Sequence, residues 1–135
     1  MLIKNEQQML EYGQQLATEL KAGMLIYLEG DLGAGKTTLV RGVLQGFGHQ
    51  GAVKSPTYNI VEEYNLASQH VYHFDLYRLN DPEELEYMGI RDYLSNENIC
   101  FIEWPDKGHG LLPAADLVIE IQIIGEQRQL KIKKQ

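Results

Sequence analysis

The sequence has a single cysteine, Cys100, so no disulfide can form within the chain. Cys100 lies between Ile99 and Phe101 in an apolar, strand-like run, with no base or metal-ligand set beside it. A buried thiol without a neighbouring base is inert as a nucleophile. The pattern therefore predicts that Cys100 is a small core residue, and it argues against a thiol-dependent enzyme.

Long hydrophobic runs are also missing. The longest has about five residues, whereas a membrane-spanning helix needs about 18 or more. The first residues, MLIKNEQQ, lack the apolar stretch of a signal peptide. With 135 residues and 44% hydrophobic content, the chain is long enough to bury a core of its own. We expect one domain spanning residues 1–135, soluble and cytoplasmic, with no membrane contact.

Positive charge is scarce, since 12 Lys and Arg residues face 19 Asp and Glu residues and the net charge is −7. Binding nucleic acid directly needs clustered basic residues. The only basic cluster is Lys131, Lys133 and Lys134, and its alternation with Ile132 predicts the solvated face of a last strand. The four histidines show no metal-ligand spacing. Any role near RNA is therefore expected to depend on a partner protein.

What the sequence does contain is a complete G-x-x-x-x-G-K-[ST] phosphate-binding loop over residues 30–37, GDLGAGKT. An apolar, strand-like segment precedes it at 24–28, and a helix-like segment follows it at 38–44. A glycine loop between a strand and a helix is the context that this motif requires. The motif predicts a nucleotide-binding P-loop.

The residue types of this loop suit a polyphosphate. Gly33 and Gly35 can adopt positive φ, so that backbone N–H groups turn towards phosphate oxygens at the start of a helix. Lys36 is expected to reach the β- and γ-phosphates as a point charge. The hydroxyl of Thr37 is expected to bind a magnesium ion that bridges those phosphates.

The remaining segments complete an α/β pattern. Apolar spacing predicts an amphipathic helix from Asn5 to Leu20, with Asn5 as its N-cap and Gly23 in the turn that follows it. Residues 59–64 and 70–75 read as a hairpin, and residues 117–121 and 129–132 as a second one. We therefore predict a single P-loop NTPase-like α/β domain. Its central sheet is mostly parallel and flanked by helices, with an antiparallel hairpin at the C-terminal end.

Two acidic residues end strand-like runs and compete for the magnesium side of the site. Glu103 follows the uninterrupted apolar run 99–102, which is typical of a central parallel strand beside the P-loop strand. Asp75 ends the run 70–74, where a carboxylate can orient the attacking water; the rival explanation is that Asp75 is a structural partner of Arg78. The burial argument favours Glu103 as the magnesium-side acid and Asp75 as the catalytic or sensing one.

Two further residues have alternatives that the pattern leaves open. Thr57 follows Pro56 on a loop, which suits a nucleotide-sensing switch but also a simple Pro-Thr turn. Trp104, the only tryptophan, directly follows Glu103, so it either fills the core or lines the site or a partner surface.

Four blocks in this order resemble one family. The blocks are GDLGAGKTTLVRG, SPTY before an acidic strand, HFDLYRL with DPEEL, and FIEWPDKG, and they are similar to the TsaE family, also called YjeE. The resemblance spans essentially the whole chain. It implies a small ATPase that binds ATP and magnesium and hydrolyses ATP slowly alone. It implies work in a complex with the TsaD and TsaB proteins during formation of threonylcarbamoyladenosine in tRNAs that read codons beginning with adenine.

The resemblance also implies roles for individual residues. Its magnesium ligands correspond to Thr37 and Glu103, its switch threonine to Thr57, its essential strand-end acid to Asp75 and its tryptophan to Trp104. The residues that it implies contact the nucleotide are Gly33, Ala34, Gly35, Lys36, Thr37 and Thr38 in the P-loop, with Asn5 and Arg128 approaching from the first helix and the last hairpin. Together these assignments give Lys36, Asp75, Thr57 and Glu103 as the catalytic set.

The leading hypothesis is an ATPase whose hydrolysis resets a partner complex, with tRNA held mainly by the partners and the isolated chain monomeric or weakly self-associating. The alternative is a small-molecule P-loop kinase, which needs an arginine-rich lid that the scattered arginines do not suggest. The missing N-K-x-D motif argues against a GTP switch. Assembly of the complex by ATP binding alone, without hydrolysis, also remains open.

Overall fold

The structure is a computed structural model that describes residues 1–134; Gln135, the last residue of the predicted domain, lies outside the described residues. Within residues 1–134 there are seven strands, which are Leu2–Ile3 (β1), Leu25–Glu29 (β2), Val61–Asn65 (β3), His70–Asp75 (β4), Asn98–Glu103 (β5), Leu117–Ile124 (β6) and Gln127–Lys134 (β7). They form one sheet in the order β1-β7-β6-β2-β5-β4-β3. The four central strands β6, β2, β5 and β4 are parallel, and both edges are antiparallel. This confirms the predicted parallel centre and the antiparallel C-terminal hairpin.

Helices cover both faces of the sheet. They are Glu6–Ala17 (α1), Lys36–Gly46 (α2), Glu83–Met88 (α3) and Ile90–Tyr93 (α4), and a 3₁₀ turn spans Pro105–Gly108. Side chains of α1 and α2 pack with one sheet face in a first core, and side chains of α3 and α4 pack with the other face in a second core. The predicted α/β class with flanking helices is therefore confirmed. None of the helices in the described part of the chain is long and apolar enough to cross a membrane.

Strand β5 occupies the position that its apolar run predicts. All six of its residues are buried, and it pairs in parallel with β2 on one side and β4 on the other. In this register Leu28 lies opposite Glu103, and Asp75 also lies opposite Glu103. Because parallel strands present their carboxyl ends at one edge, the P-loop and both acids meet there.

Helix α1 ends earlier than the predicted boundary at Leu20. Its last residue is Ala17, and the hydroxyl of the C-cap Thr18 donates to the backbone oxygen of Gln15. Leu20 is nonetheless buried in the turn after the helix, so the apolar periodicity continues past the helical backbone. Gly23 takes a φ of +92°, and its N–H donates to Asn98 at the start of β5. The apolar spacing therefore reported burial correctly but overestimated the helix length.

Cys100 is buried in the second core, as predicted. Its thiol donates to the backbone oxygen of Tyr93 at 3.2 Å. Burial raises the pKa of Cys100 to about 12, so the thiolate is scarcely formed near neutral pH. The side chain is a packing residue.

Helices α1 and α2 cross with their backbones in close contact. A Cβ atom added at Gly42 would lie 2.4 Å from the backbone oxygen of Leu10 and 3.1 Å from the Cα atom of Gly13. Glycine is required there by lack of space, because Gly42 lies inside α2 with no positive φ. This contact fixes α2, and with it the P-loop, against α1.

Gly42→Ala is expected to destabilise the protein even though alanine normally stabilises a helix by about 1 kcal/mol relative to glycine. The added methyl group collides with the backbone of α1, and overpacking of this kind costs about 1–3 kcal/mol. Urea unfolding measures the effect. Glu11→Ala, at an exposed position of α1, is the control and should stay within about 0.5 kcal/mol of wild type. A Gly42→Ala protein as stable as wild type would contradict the close contact.

Candidate active site

The P-loop connects the end of β2 to the start of α2 at the carboxyl edge of the parallel strands. Gly33 and Gly35 have φ values of +80° and +108°, which side chains with a Cβ rarely adopt. Gly35 is the N-cap of α2, so the first N–H groups of the helix face the loop. The conformational requirement predicted for these two glycines is met.

Lys36 is buried at the centre of the site. Its Nζ atom donates to the backbone oxygen of Gly30 at 2.5 Å and lies 3.7 Å from Oε1 of Glu103. The same Nζ lies 4.5 Å from the centroid of the Trp104 ring. One cation therefore has a carbonyl, a carboxylate and an aromatic face around it, which is the environment that a buried ammonium needs.

Glu103 ends β5 with its side chain almost fully buried. Its Oε2 atom accepts from Nε2 of His73 at 2.5 Å, and its Oε1 faces Lys36. Both oxygens are thus engaged by groups on neighbouring elements. The strand-end carboxylate predicted from the apolar run lies beside the P-loop lysine.

Asp75 and Thr57 come together across the site. Oγ1 of Thr57 donates to Oδ2 of Asp75 at 3.0 Å, and the backbone N–H of Tyr77 donates to Oδ1 at 2.9 Å. The alternative of an Asp75–Arg78 pair is wrong, because the guanidinium of Arg78 instead lies over the ring of Tyr58, 4.7 Å from its centroid. Thr57 is thus hydrogen-bonded to the residue that ends β4. The arrangement fits a switch loop whose position is coupled to Asp75.

A cleft of about 310 Å³, which we call the phosphate cleft, joins these groups. It is lined by P-loop residues, by the loop that carries Thr57 and by the two strand-end acids, which together are Leu32, Gly33, Gly35, Lys36, Thr37, Thr38, Ser55, Thr57, Asp75 and Glu103. All four residues predicted as catalytic, Lys36, Thr57, Asp75 and Glu103, therefore lie at one cleft.

A second depression of about 210 Å³ lies beside the P-loop and is lined by both Asn5 and Arg128. Arg128 donates through Nε to the backbone oxygen of Ala34 and through a terminal nitrogen to that of Gly33. The side-chain oxygen of Asn5 caps α1 by accepting from the N–H of Gln8 at 2.9 Å. The structure thus confirms the capping interpretation of Asn5 and also places Asn5 beside the loop.

Trp104 has features of both alternatives proposed for it. Its backbone has a φ of +56°, and its ring packs against the second core and lies 5.1 Å from the ring of Tyr77, between centroids. The same ring forms the aromatic face over Lys36. A substitution at this position would therefore change both packing and the surroundings of the lysine.

The donor types at the cleft fit a magnesium nucleotide. Thr37 offers a hydroxyl and Glu103 a carboxylate, the oxygen ligands that Mg²⁺ prefers, and Lys36 offers a cation for phosphate. Among residues 1–134 no group of three or more His, Cys, Asp or Glu side chains is placed to hold a metal. Magnesium in phosphate-transfer sites needs few protein ligands, because phosphate and water oxygens complete its shell.

Sequence reasoning missed one residue of this site, His73. The spacing of the histidines bears only on metal binding, whereas His73 is fully buried and bonded to Glu103. The alternation within β4 contained a signal, since residues 73 and 75 of one strand face the same side. Its partner Glu103 is 30 residues away, and only the pairing of β4 with β5 brings the two together.

Comparison with known proteins agrees with this geometry. The family model described as threonylcarbamoyl adenosine biosynthesis protein TsaE matches residues 3–132. The chain is 55% identical over 135 residues to the tRNA threonylcarbamoyladenosine biosynthesis protein TsaE of Haemophilus influenzae, with 96% of this chain and 85% of that protein covered. It is 39% identical over 109 residues to the protein of the same name from Bacillus subtilis, with 81% and 68% covered.

A solved structure is similar over nearly the whole chain. The crystal structure of Bacillus subtilis YdiB matches with a TM-score of 0.84 and 30% sequence identity, covering 99% of this chain and 83% of that one. The family model, the relatives and the fold thus agree along the length of the protein. The chain belongs to the TsaE family.

Proposed function

We propose that this protein is a magnesium-dependent ATP hydrolase that acts in the formation of threonylcarbamoyladenosine on tRNA. Family membership and the names of the relatives support the pathway. The observation that carries the activity is the single cleft that brings Lys36, Thr37, Thr57, Asp75 and Glu103 together at a P-loop. As one domain that works on tRNA, it would act in the cytoplasm.

In the proposed reaction Lys36 neutralises charge that develops on the γ-phosphate. Thr37 and Glu103 would hold Mg²⁺, which when bound supplies further positive charge to the phosphate oxygens. The hydrogen-bonded pair of Asp75 and Thr57, which also lines the cleft, orients the attacking water. Asn5 and Arg128, beside the loop, approach the rest of the nucleotide.

Slow turnover by the isolated chain is part of the proposal. Arg41, Arg78 and Arg91 could each be thought of as an arginine finger, but all three contact other groups: Arg41 pairs with Glu6, Arg91 with Glu86, and Arg78 stacks on Tyr58. Of the described residues that line the phosphate cleft, none is an arginine. An arginine finger supplied from outside is a common way to accelerate such a site.

We propose TsaD and TsaB as the partners that raise turnover and hold the tRNA. The net charge of −7 and the exposed position of Lys131, Lys133 and Lys134 on one strand, β7, support indirect contact with RNA. Release of phosphate from Mg·ATP, measured with and without the two partners, tests the proposal. We expect slow release alone and a clear rise in their presence. Kinase-like turnover of about 1–100 s⁻¹ alone, unchanged by the partners, would contradict it.

Asp75→Asn is expected to lower kcat by about 10²–10⁴-fold with little change in ATP affinity, because the neutral amide cannot accept the proton of water. Thr57→Val should lower kcat less, since it removes the hydrogen bond and leaves the carboxylate. Steady-state phosphate release and calorimetric ATP binding separate the two effects. Asp92→Asn, at an exposed position of α4, is the control. Equal rates for Asp75→Asn and wild type would exclude Asp75 as the group that orients water.

A further inference from the structure

His73 is a buried polar residue whose role neither the pathway nor the P-loop motif explains. It lies on β4, two residues before Asp75 and on the same side of the strand, and it has no exposed surface. Its Nε2 atom lies 2.5 Å from Oε2 of Glu103. Its other ring nitrogen, Nδ1, has no hydrogen-bond partner among residues 1–134.

This arrangement defines the direction of the hydrogen bond. An ionised carboxylate only accepts, so Nε2 of His73 must carry the proton that it donates to Glu103. The bond to Glu103 is the one polar contact that the described residues give to a ring otherwise buried in the sheet. Burying an imidazole costs free energy that a leucine or valine at the same place would not cost. The position is therefore a poor choice for packing alone.

The same bond limits what Glu103 can do. With Oε2 held by His73, the carboxylate cannot rotate about its last torsion without breaking the bond, and Oε1 stays directed towards Lys36 at 3.7 Å. Oε1 is then the oxygen left for the cleft that Thr37 also lines. Groups that orient a metal ligand in this way typically change metal affinity or activity by about 10–100-fold when they are removed.

We propose that His73 is a positioning residue that holds the carboxylate of Glu103 in the orientation required to bind the Mg²⁺ of the nucleotide. The inference rests on the proposed function, since it needs a magnesium nucleotide at the P-loop. It assigns His73 no contact with the nucleotide itself. Its effect is transmitted entirely through Glu103.

Two matched substitutions separate positioning from packing. His73→Gln places an amide N–H near the position of Nε2 and can still donate to Glu103, whereas His73→Met has the same unbranched length and no donor. His73→Asn is a second variant without the bond, because its shorter amide does not reach Glu103. The affinity for ADP is measured by calorimetry at a series of Mg²⁺ concentrations, on the full chain. Thermal unfolding of each variant reports on the fold, and exposed His109→Gln is the background control.

We expect His73→Met and His73→Asn to raise the Mg²⁺ concentration for half-maximal ADP binding about 10-fold, with Mg²⁺-free ADP affinity unchanged. For His73→Gln this Mg²⁺ concentration should lie within about threefold of the wild-type value, because the amide replaces the imidazole donor imperfectly. The inference would be overturned if His73→Met and His73→Asn both bound ADP with the wild-type dependence on Mg²⁺. It would also be overturned if His73→Gln needed as much Mg²⁺ as His73→Met. Magnesium-dependent ADP binding by a wild-type chain that releases no phosphate from ATP would instead overturn the proposed function alone.

Discussion

Lys36→Ala is expected to lower the rate of ATP hydrolysis by at least about 100-fold, a loss of a few kcal/mol of transition-state stabilisation. The Nζ atom of Lys36 is the only cation among the described residues lining the phosphate cleft, so its removal leaves that cleft without a positively charged side chain. ATP affinity should fall as well, because the ground-state phosphates lose the same charge. Phosphate release under saturating ATP and calorimetric binding measure the two effects.

Lys21→Ala provides the matched control for this experiment. Lys21 is exposed in the turn before β2, and its side chain lies outside both depressions at the P-loop. It carries the same change of charge and should retain wild-type hydrolysis. Loss of activity in both variants would point to net charge, and full activity in Lys36→Ala would exclude the P-loop as the site of hydrolysis.

Glu103→Gln is expected to lower kcat by at least about 100-fold and to remove most of the tightening of nucleotide binding by Mg²⁺. The substitution keeps the size of the side chain and an oxygen that can accept from His73, but it removes the negative charge that the metal needs. Nucleotide should still bind without Mg²⁺, because the P-loop backbone and Lys36 are unchanged. Titration of ADP with and without Mg²⁺ gives both affinities.

Glu97→Gln serves as the control, since Glu97 is exposed before β5 and loses the same charge. A Glu103→Gln protein with normal magnesium dependence would show that the ion is held elsewhere. In that case the pairing of Glu103 with Lys36 at 3.7 Å would be a structural ion pair of the sheet.

The parts of the fold that could be predicted are those encoded over short stretches of sequence. The uninterrupted apolar run of β5 indicated a strand buried on both faces, and β5 lies between β2 and β4. The predicted end of α1 at Leu20 is wrong, because Leu20 is buried in the turn after the helix. Apolar spacing cannot distinguish a buried turn from a further turn of helix. The backbone contact at Gly42 depends on how two helices cross, which no local pattern contains.

The residues of the candidate site also fall into those encoded locally and those that depend on contacts between distant parts of the chain. The glycines and Lys36 follow from one contiguous motif, and Glu103 follows from one strand and its last residue. The strand pattern left open whether Asp75 acts in the site or pairs with Arg78, because the course of the loop between α2 and β3 is not encoded locally. In the structure Asp75 accepts a hydrogen bond from Thr57 of that loop. The role of His73 could not be predicted, because it depends on a hydrogen bond to Glu103 on the neighbouring strand β5.

ATP hydrolysis at this P-loop is proposed to drive a tRNA-modifying assembly. Reconstitution of threonylcarbamoyladenosine synthesis from purified TsaD, TsaB, tRNA and the precursor tests it most directly, with wild-type chain, Lys36→Ala chain or no chain added. We predict sustained modification over many turnovers with wild type only, and the same low yield in the other two reactions. Equal yields with wild type and Lys36→Ala would contradict the claim and leave the nucleotide site without a part in the pathway.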